Sequence, residues 1–304
     1  MALVNGNIIL NRALKGAYAV GAFNIYNLET AQAVVEACEI EQTDAIISVS
    51  EGAGSYAGYD AITAIVKALT ANTKQDYALH LDHGTSFEAC KKAIDAGFTS
   101  VMIDGSALSL EDNIAITKKV VDYAHKKNVS VEAELGKILG TEDMVSSKTE
   151  HFTDPEEASV FVKRTGVDSL AISIGTAHGI NKGTKTPEIR FDVIEAVGKA
   201  IPNIPLVAHG SSNVPKTYVN IINKNGGKIQ KSQGIPACVL SMMGETHICK
   251  INTDTDIRLA FTAGVRETLT SDPSVFDPRK YLKQARKNAV DQIRASIAIF
   301  RNKQ

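Results

Sequence analysis

Three histidines in this chain share one local pattern. His83 lies in His80-Leu81-Asp82-His83-Gly84, His178 in Gly175-Thr176-Ala177-His178-Gly179, and His209 in Ala208-His209-Gly210-Ser211-Ser212. Each ends a β-branched run and is followed by glycine. Three imidazoles meeting at one rim, with a fourth position open, make a catalytic Zn²⁺ arrangement. A glycine after each lets backbone approach a ligand closely. Asp82 precedes His83, and neighbours on a strand point to opposite faces. At a frayed strand end both can still border one mouth, and a carboxylate beside a metal is a natural general base. The remaining histidines read as ordinary: His125 as a solvated helix end, His151 and His247 in irregular stretches, His80 inside its strand.

A second set of residues suits phosphate. Gly179, Gly210 and Ser212 follow two of these runs, and Asn252, Asp254 and Thr255 follow another. Backbone N–H groups, hydroxyls and a helix N-terminus are the usual cradle. Lys182 offers a cation nearby. Arg279, in Asp277-Pro278-Arg279-Lys280, reads as exposed.

Such residues need a scaffold that gathers strand ends. The sequence repeats a short β-branched run, a polar tip and an amphipathic stretch. The runs are Ala19–Tyr26, Asp44–Ser50, Tyr77–Gly84, Ser100–Ser106, Ser130–Gly136, Ser169–Gly175, Pro205–Ser212 and Ile248–Asp254. Helical patterns follow each, among them Leu28–Glu41, Leu110–Lys126, Asp154–Thr165 and Val214–Lys224. Eight such units predict an α/β fold, a (β/α)8 TIM barrel, rather than an open sheet of five or six strands. Barrel enzymes put their chemistry at the C-terminal strand ends, where these histidines lie. Two stretches interrupt the rhythm: Lys137–His151, read as a polar loop after the fifth run, and Gly226–Thr246, an insertion before the eighth. Residues 273–304 read as a helical extension packed on the barrel or on a second subunit. No linker divides the chain, so residues 1–304 read as one domain.

Composition narrows the class. A hydrophobic content of 44% and 22% charged residues exclude a disordered chain. The formal net charge of −1 gives no polybasic signal for nucleic acid or membrane. No run approaches the roughly 18 apolar residues of a membrane span, and the N-terminal stretch does not read as a signal peptide. Cys38, Cys90, Cys238 and Cys249 fit no zinc or redox spacing. A cytoplasmic protein with reduced thiols is expected.

The strings HLDHG, GFTSVMIDGS, VEAELG, GTAHG, HGSS and NTDTD, in this order, resemble the class II, metal-dependent fructose-1,6-bisphosphate aldolases. The likeness runs from Ala22 to about Leu282, and the insertion Gly226–Thr246 resembles that of the class IIB branch. The resemblance implies zinc held by His83, His178 and His209, with Glu134 at an outer position. It implies Asp82 as general base. It implies one substrate phosphate at Gly179, Lys182, Gly210, Ser212, Asp254 and Thr255, and the sugar carbons at Asn24, Ser50 and Asn252. Arg279 matches an arginine for the other phosphate, often lent by a neighbouring subunit. The proton donor belongs to the loop after the fifth run, which holds Glu142, Asp143 and Glu150; Glu142 is the first candidate. A monovalent cation (Na⁺ or K⁺) and a homodimer or homotetramer are also implied.

The implied reaction is reversible cleavage of fructose 1,6-bisphosphate to dihydroxyacetone phosphate and glyceraldehyde 3-phosphate, a step of glycolysis and gluconeogenesis. The partners are therefore sugar bisphosphate and triose phosphates. Three other readings compete. A tagatose-1,6-bisphosphate aldolase differs at one stereocentre, and the Asp254-Thr255-Asp256 string and Ser50 look more like the fructose branch. A barrel kept only as a binding module would not need Asp82 and all three histidines. A metal-dependent hydrolase would carry a His-x-His pair on the first run, which has no histidine.

Overall fold

The computed structural model describes residues 3–142, 145–147, 151–180, 187–230 and 233–301. The chain opens with helix α1 (Gly6–Gly16), then β1 (Val20–Asn24), α2 (Leu28–Glu41), β2 (Ala45–Ser50), α3 (Glu51–Ala57), α4 (Tyr59–Thr70) and β3 (Tyr77–Gly84). Next come α5 (Phe87–Asp95), β4 (Ser100–Ile103), α6 (Leu110–Ala124) and β5 (Ser130–Leu135), followed by a hairpin, β6 (Leu139–Glu142) and β7 (Val145–Ser147). Then follow α7 (Pro155–Thr165), β8 (Ser169–Ile172), β9 (Ala177–His178), α8 (Phe191–Ala200), β10 (Leu206–Ala208) and α9 (Lys216–Lys224). The chain ends with α10 (Ala237–Gly244), β11 (Ile248–Thr253), α11 (Thr255–Ser271) and α12 (Pro278–Phe300).

Eight strands close a parallel barrel in the order β1-β11-β10-β8-β5-β4-β3-β2. Each lies within one predicted run. Local chemistry starts the helices as the sequence suggests. Ser86 accepts from the Ala89 N–H at the head of α5, and Asp154 accepts from Glu156 and Glu157 ahead of Pro155 in α7.

The strands are buried on both faces, and the two faces differ in kind. Outward residues such as Leu79, Leu81, Val101, Val131 and Leu170 join the helices in one large apolar cluster. The inward face is layered along the barrel axis. At one end α1 plugs the barrel, with Ile9, Leu10 and Ala13 against Val20, Ala22, Ile46 and Ala78. Burying one such aliphatic side chain stabilises by about 1.5–3 kcal/mol. Met102, Ala171 and Val207 form a small apolar patch farther in. The rest of the interior is polar, with His80, Glu132 and Lys250 at most 2% exposed.

Four features depart from the sequence reading. Helix α1 precedes the first unit and closes the barrel floor. A short α3 stands before α4 in the second unit. The helix expected from Val214 begins at Lys216, because Val214 takes a left-handed φ of 57° and the residue before a proline is kept out of the helical region, leaving Pro215 as the N-cap. The stretch expected as a polar loop, Lys137–His151, is in part a ladder: β6 pairs antiparallel with β7 and parallel with β9. Helix α12 packs on α2 and α11, burying Ala285, Ala289, Ile293 and Ile297 at four-residue spacing. Where α11 meets α12, a Cβ on Gly264 would fall 2.6 Å from Ala285 Cα, so only glycine allows this approach. Among the described residues no helix is long and apolar enough to cross a membrane.

Candidate active site

The structure brings His83, His178 and His209 together. Their ligand atoms lie within 4.8 Å of one another, and all three residues are buried. Ring centroids are 4.6 Å apart for His83 and His209, 5.0 Å for His83 and His178, and 6.2 Å for His178 and His209.

Strand alternation alone would send Asp82 and His83 to opposite faces. His83 instead adopts a left-handed φ of 50°, and the β3–β4 register shifts between Leu81 and Gly84. This local break lets both side chains enter the mouth. Two of the glycines also serve close packing of the backbone. A Cβ on Gly84 would meet Met102 O at 2.6 Å, and one on Gly210 would meet Ala177 C and O at 2.7 Å. Both therefore admit neighbouring backbone. Gly179 follows His178 with φ 75° and Gly210 has φ 62°. Gly210→Ala should thus combine backbone strain with a clash against the His178 segment, costing roughly 1–3 kcal/mol. Gly166, also left-handed at φ 72°, has its nearest atom 4.0 Å away, and Gly166→Ala should cost only about 1 kcal/mol. Denaturant melts of both variants check this, and equal losses would show that the contact at Ala177 yields freely.

Buried carboxylates orient two of the histidines. His83 Nδ1 lies 3.0 Å from Asp104 Oδ2, and His209 Nε2 lies 2.8 Å from Glu132 Oε1. An ionised carboxylate only accepts, so each facing nitrogen carries the proton. The lone pairs then sit on His83 Nε2 and His209 Nδ1. Such carboxylate–histidine pairs commonly accompany metal ligation. Burial opposes ionisation of Asp104 and Glu132. The His83 interaction and the hydrogen bonds from Ser106 together outweigh it for Asp104, and the Lys250 charge with the His209 hydrogen bond and the nearby His80 outweigh it for Glu132, so both stay well below the usual carboxylate range.

Glu134 behaves oppositely. Burial, then the neighbouring Asp104 charge, push its carboxyl well above its ordinary value. Its Oε2 is buried and, among the described residues, has no hydrogen-bond partner. Glu134, Asp104 and His83 form a second group whose ligand atoms lie within 4.8 Å. A buried carboxylate lacking compensation is where a cation belongs. The donor set thus fits a divalent metal on three imidazoles, with Glu134 at the side.

Asp82 is held from two sides. Asn24 Nδ2 donates to Oδ2 at 2.8 Å, and Asn252 Nδ2 donates to Oδ1 at 3.0 Å. Burial works against its charge, but favourable electrostatics from the neighbouring His83 and His209 rings and the Lys250 ammonium win and hold its carboxyl below the ordinary range. It stands as an anion. Asn252 also lies 3.1 Å from His209 Nδ1, linking Asp82 to the histidine set.

Other expected residues spread around the mouth. Ser50 caps α3 through Ala53 N and borders a cavity of about 350 Å³ with Tyr26, Tyr56 and Arg258. Asp254 stands at the head of α11, where Arg258 grips both its oxygens at 2.9 Å. Thr255 starts α11, and Ser212 is buried in the segment after β10. Asp256 pins that segment, accepting from Asn213 N at 2.9 Å and Val214 N at 2.8 Å. Arg279 is not brought to this mouth by its own chain. Its side chain is 90% exposed, and it lines an outer groove between α2 and α12. Lys182, Asp143 and Glu150 lie outside the described residues, and for Glu142 only the backbone, in β6, is described.

Sequence reading missed Asp104, Glu132, Lys250 and Arg258. Asp104 follows the fourth strand, so the strand-end rule that selected the histidines could have found it. Glu132 lies two residues before Glu134, a spacing that puts both on one strand face.

The family model for class II fructose-bisphosphate aldolases matches residues 4–304. Similar chains named fructose-bisphosphate aldolase include one from Thermus caldophilus, 45% identical over 98% of each chain. Another, from Treponema pallidum, is 43% identical over 94% of this chain and 92% of that one. Among solved structures, the YdjI aldolase from Escherichia coli K12 superposes with a TM-score of 0.80 at 29% identity, covering 98% of this chain and 97% of the other.

Proposed function

The chain belongs to the class II fructose-bisphosphate aldolase family, and from that premise we propose how its residues carry out the cleavage of fructose 1,6-bisphosphate to dihydroxyacetone phosphate and glyceraldehyde 3-phosphate. The observation that carries the reading is Asp82, a buried anion gripped by two amides beside three converging histidines.

His83, His178 and His209 would hold a zinc ion, with Glu134 as a second, outer ligand position. When bound, the metal supplies a Lewis acid for the ketone half of the substrate. Asp82 accepts the proton of the C4 hydroxyl. The C3–C4 bond breaks, its electron pair passes to the ketone half as an enediolate, and C4 leaves as the aldehyde. Asn24 and Asn252 keep the Asp82 carboxylate aimed while it changes charge. An acid of the hairpin after β5, with Glu142 ahead of Asp143 and Glu150, returns a proton to C3. Gly179, Lys182, Gly210, Ser212, Asp254 and Thr255 would receive the phosphate of the ketone half. Ser50 contributes to the sugar side, and Arg279, exposed on α12, would reach the other phosphate of a neighbouring subunit in a homodimer or homotetramer. A monovalent cation near the phosphate completes the proposed set, in a cytoplasmic enzyme.

The test is a coupled assay of triose phosphate release from the fructose and tagatose bisphosphates. Preferred cleavage of the fructose substrate is expected. Preference for tagatose would reassign the substrate within the family, and no cleavage of either by metal-loaded protein would sink the reading.

A further inference from the structure

Beneath the histidines lies a polar layer that the reaction above does not use. Lys250, on β11, is 1% exposed. Its Nζ lies 2.8 Å from Glu132 Oε2 and 3.4 Å from His80 Nε2. His80 Nδ1 lies 2.8 Å from Ser100 Oγ. Barrel interiors are ordinarily filled by bulky aliphatic side chains, and a buried ion pair can often be exchanged for packed apolar residues without loss of stability. Folding alone therefore does not call for a lysine here.

The polarity of the chain of bonds says what it does. An ammonium only donates and an ionised carboxylate only accepts. Lys250 therefore donates to His80 Nε2, and His80 donates through Nδ1 to Ser100. On the other side Lys250 donates to Glu132 Oε2, which leaves Oε1 turned onto His209. His209 must then donate from Nε2, which leaves Nδ1, 3.1 Å from Asn252 Nδ2, as its lone-pair nitrogen and so the one that could ligate a metal. Every direction runs outward from Lys250. Glu132 alone could rotate about its side-chain torsions; with Lys250 holding one oxygen it has one orientation.

We propose that Lys250 is a positioning residue for the metal centre, acting through Glu132 to fix the ring and tautomer of His209. The inference rests on the zinc reading above. It is tested by zinc affinity, measured against a competing chromophoric chelator, and by the visible absorption of Co²⁺-loaded protein. Lys250→Met and Glu132→Gln should each weaken zinc binding about 10–100-fold and alter the cobalt spectrum, as losing a ligand's orienting partner commonly does. The double variant Lys250→Met/Glu132→Gln should bind zinc no more weakly than Glu132→Gln alone, because Lys250 acts only through that carboxylate. Should Lys250→Met fail to fold, Lys250→Arg keeps the charge but moves the donor, and a weakened zinc site with an altered cobalt band is again expected. Unchanged affinity and spectrum in the folded Lys250 variant would overturn the proposal, as would a double variant regaining native affinity. Wild-type protein that binds no zinc would instead overturn the metal reading itself.

Discussion

Asp82→Ala is expected to lower kcat for bisphosphate cleavage by on the order of 10²–10⁴ while zinc stays bound, since a positioned base is worth about that much. The size follows from the site. Asp82 is fully buried, and its two oxygens are each engaged by an amide from neighbouring strands, Asn24 on β1 and Asn252 on β11. Among the described residues no other carboxylate shares those two donors: Glu132 faces Lys250 and His209, and Asp104 faces His83. Water filling the alanine cavity would be a far weaker base. Asp82→Asn keeps the shape but sets an amide against two amides, so it should lose as much kcat and some stability too. Metal content and single-turnover cleavage read the two effects apart. If Asp82→Ala loses zinc and recovers full turnover on reconstitution, Asp82 is a ligand or a structural group and not the base.

The barrel was legible because its signal is regional. Eight β-branched runs alternate with amphipathic stretches, and each run holds a strand however its ends fray. The three histidines were legible because strand ends are where a barrel gathers side chains. What escaped notice was set by exceptions to simple periodicity. That Asp82 and His83 could share the mouth was legible from the strand end, but its cause, the left-handed backbone of His83, lies in no alternation rule. The β6–β7 ladder hid in a polar stretch without the apolar alternation of a half-buried strand. Lys250 lies in the middle of the eighth run, in Cys249-Lys250-Ile251-Asn252. Only closure of the barrel places it against Glu132, 118 positions away. Arg279, read from the sequence as exposed, is turned outward by its own chain.

Exhaustive chelation is expected to abolish cleavage and leave the fold intact. The two consequences have separate causes. Lewis-acid stabilisation of developing charge is worth several kcal/mol, and each 1.36 kcal/mol is tenfold in rate, so activity should fall by at least three decades. The fold does not hang on the metal. The apolar cluster between strands and helices, the α1 plug and the Lys250 layer are complete without it. Far-ultraviolet circular dichroism should therefore be unchanged. Melting should shift, because a ligand bound only by the folded state adds about 4 kcal/mol at a thousandfold excess over Kd. The shift should grow with free zinc and vanish in chelator. His178→Ala should erase it while leaving the metal-free melt near that of the unsubstituted protein, since this residue sits on the short β9 rather than in the closed barrel. Full cleavage by protein shown to contain no metal would end the zinc assignment. A metal-free chain that unfolds would move the ion from catalysis to structure.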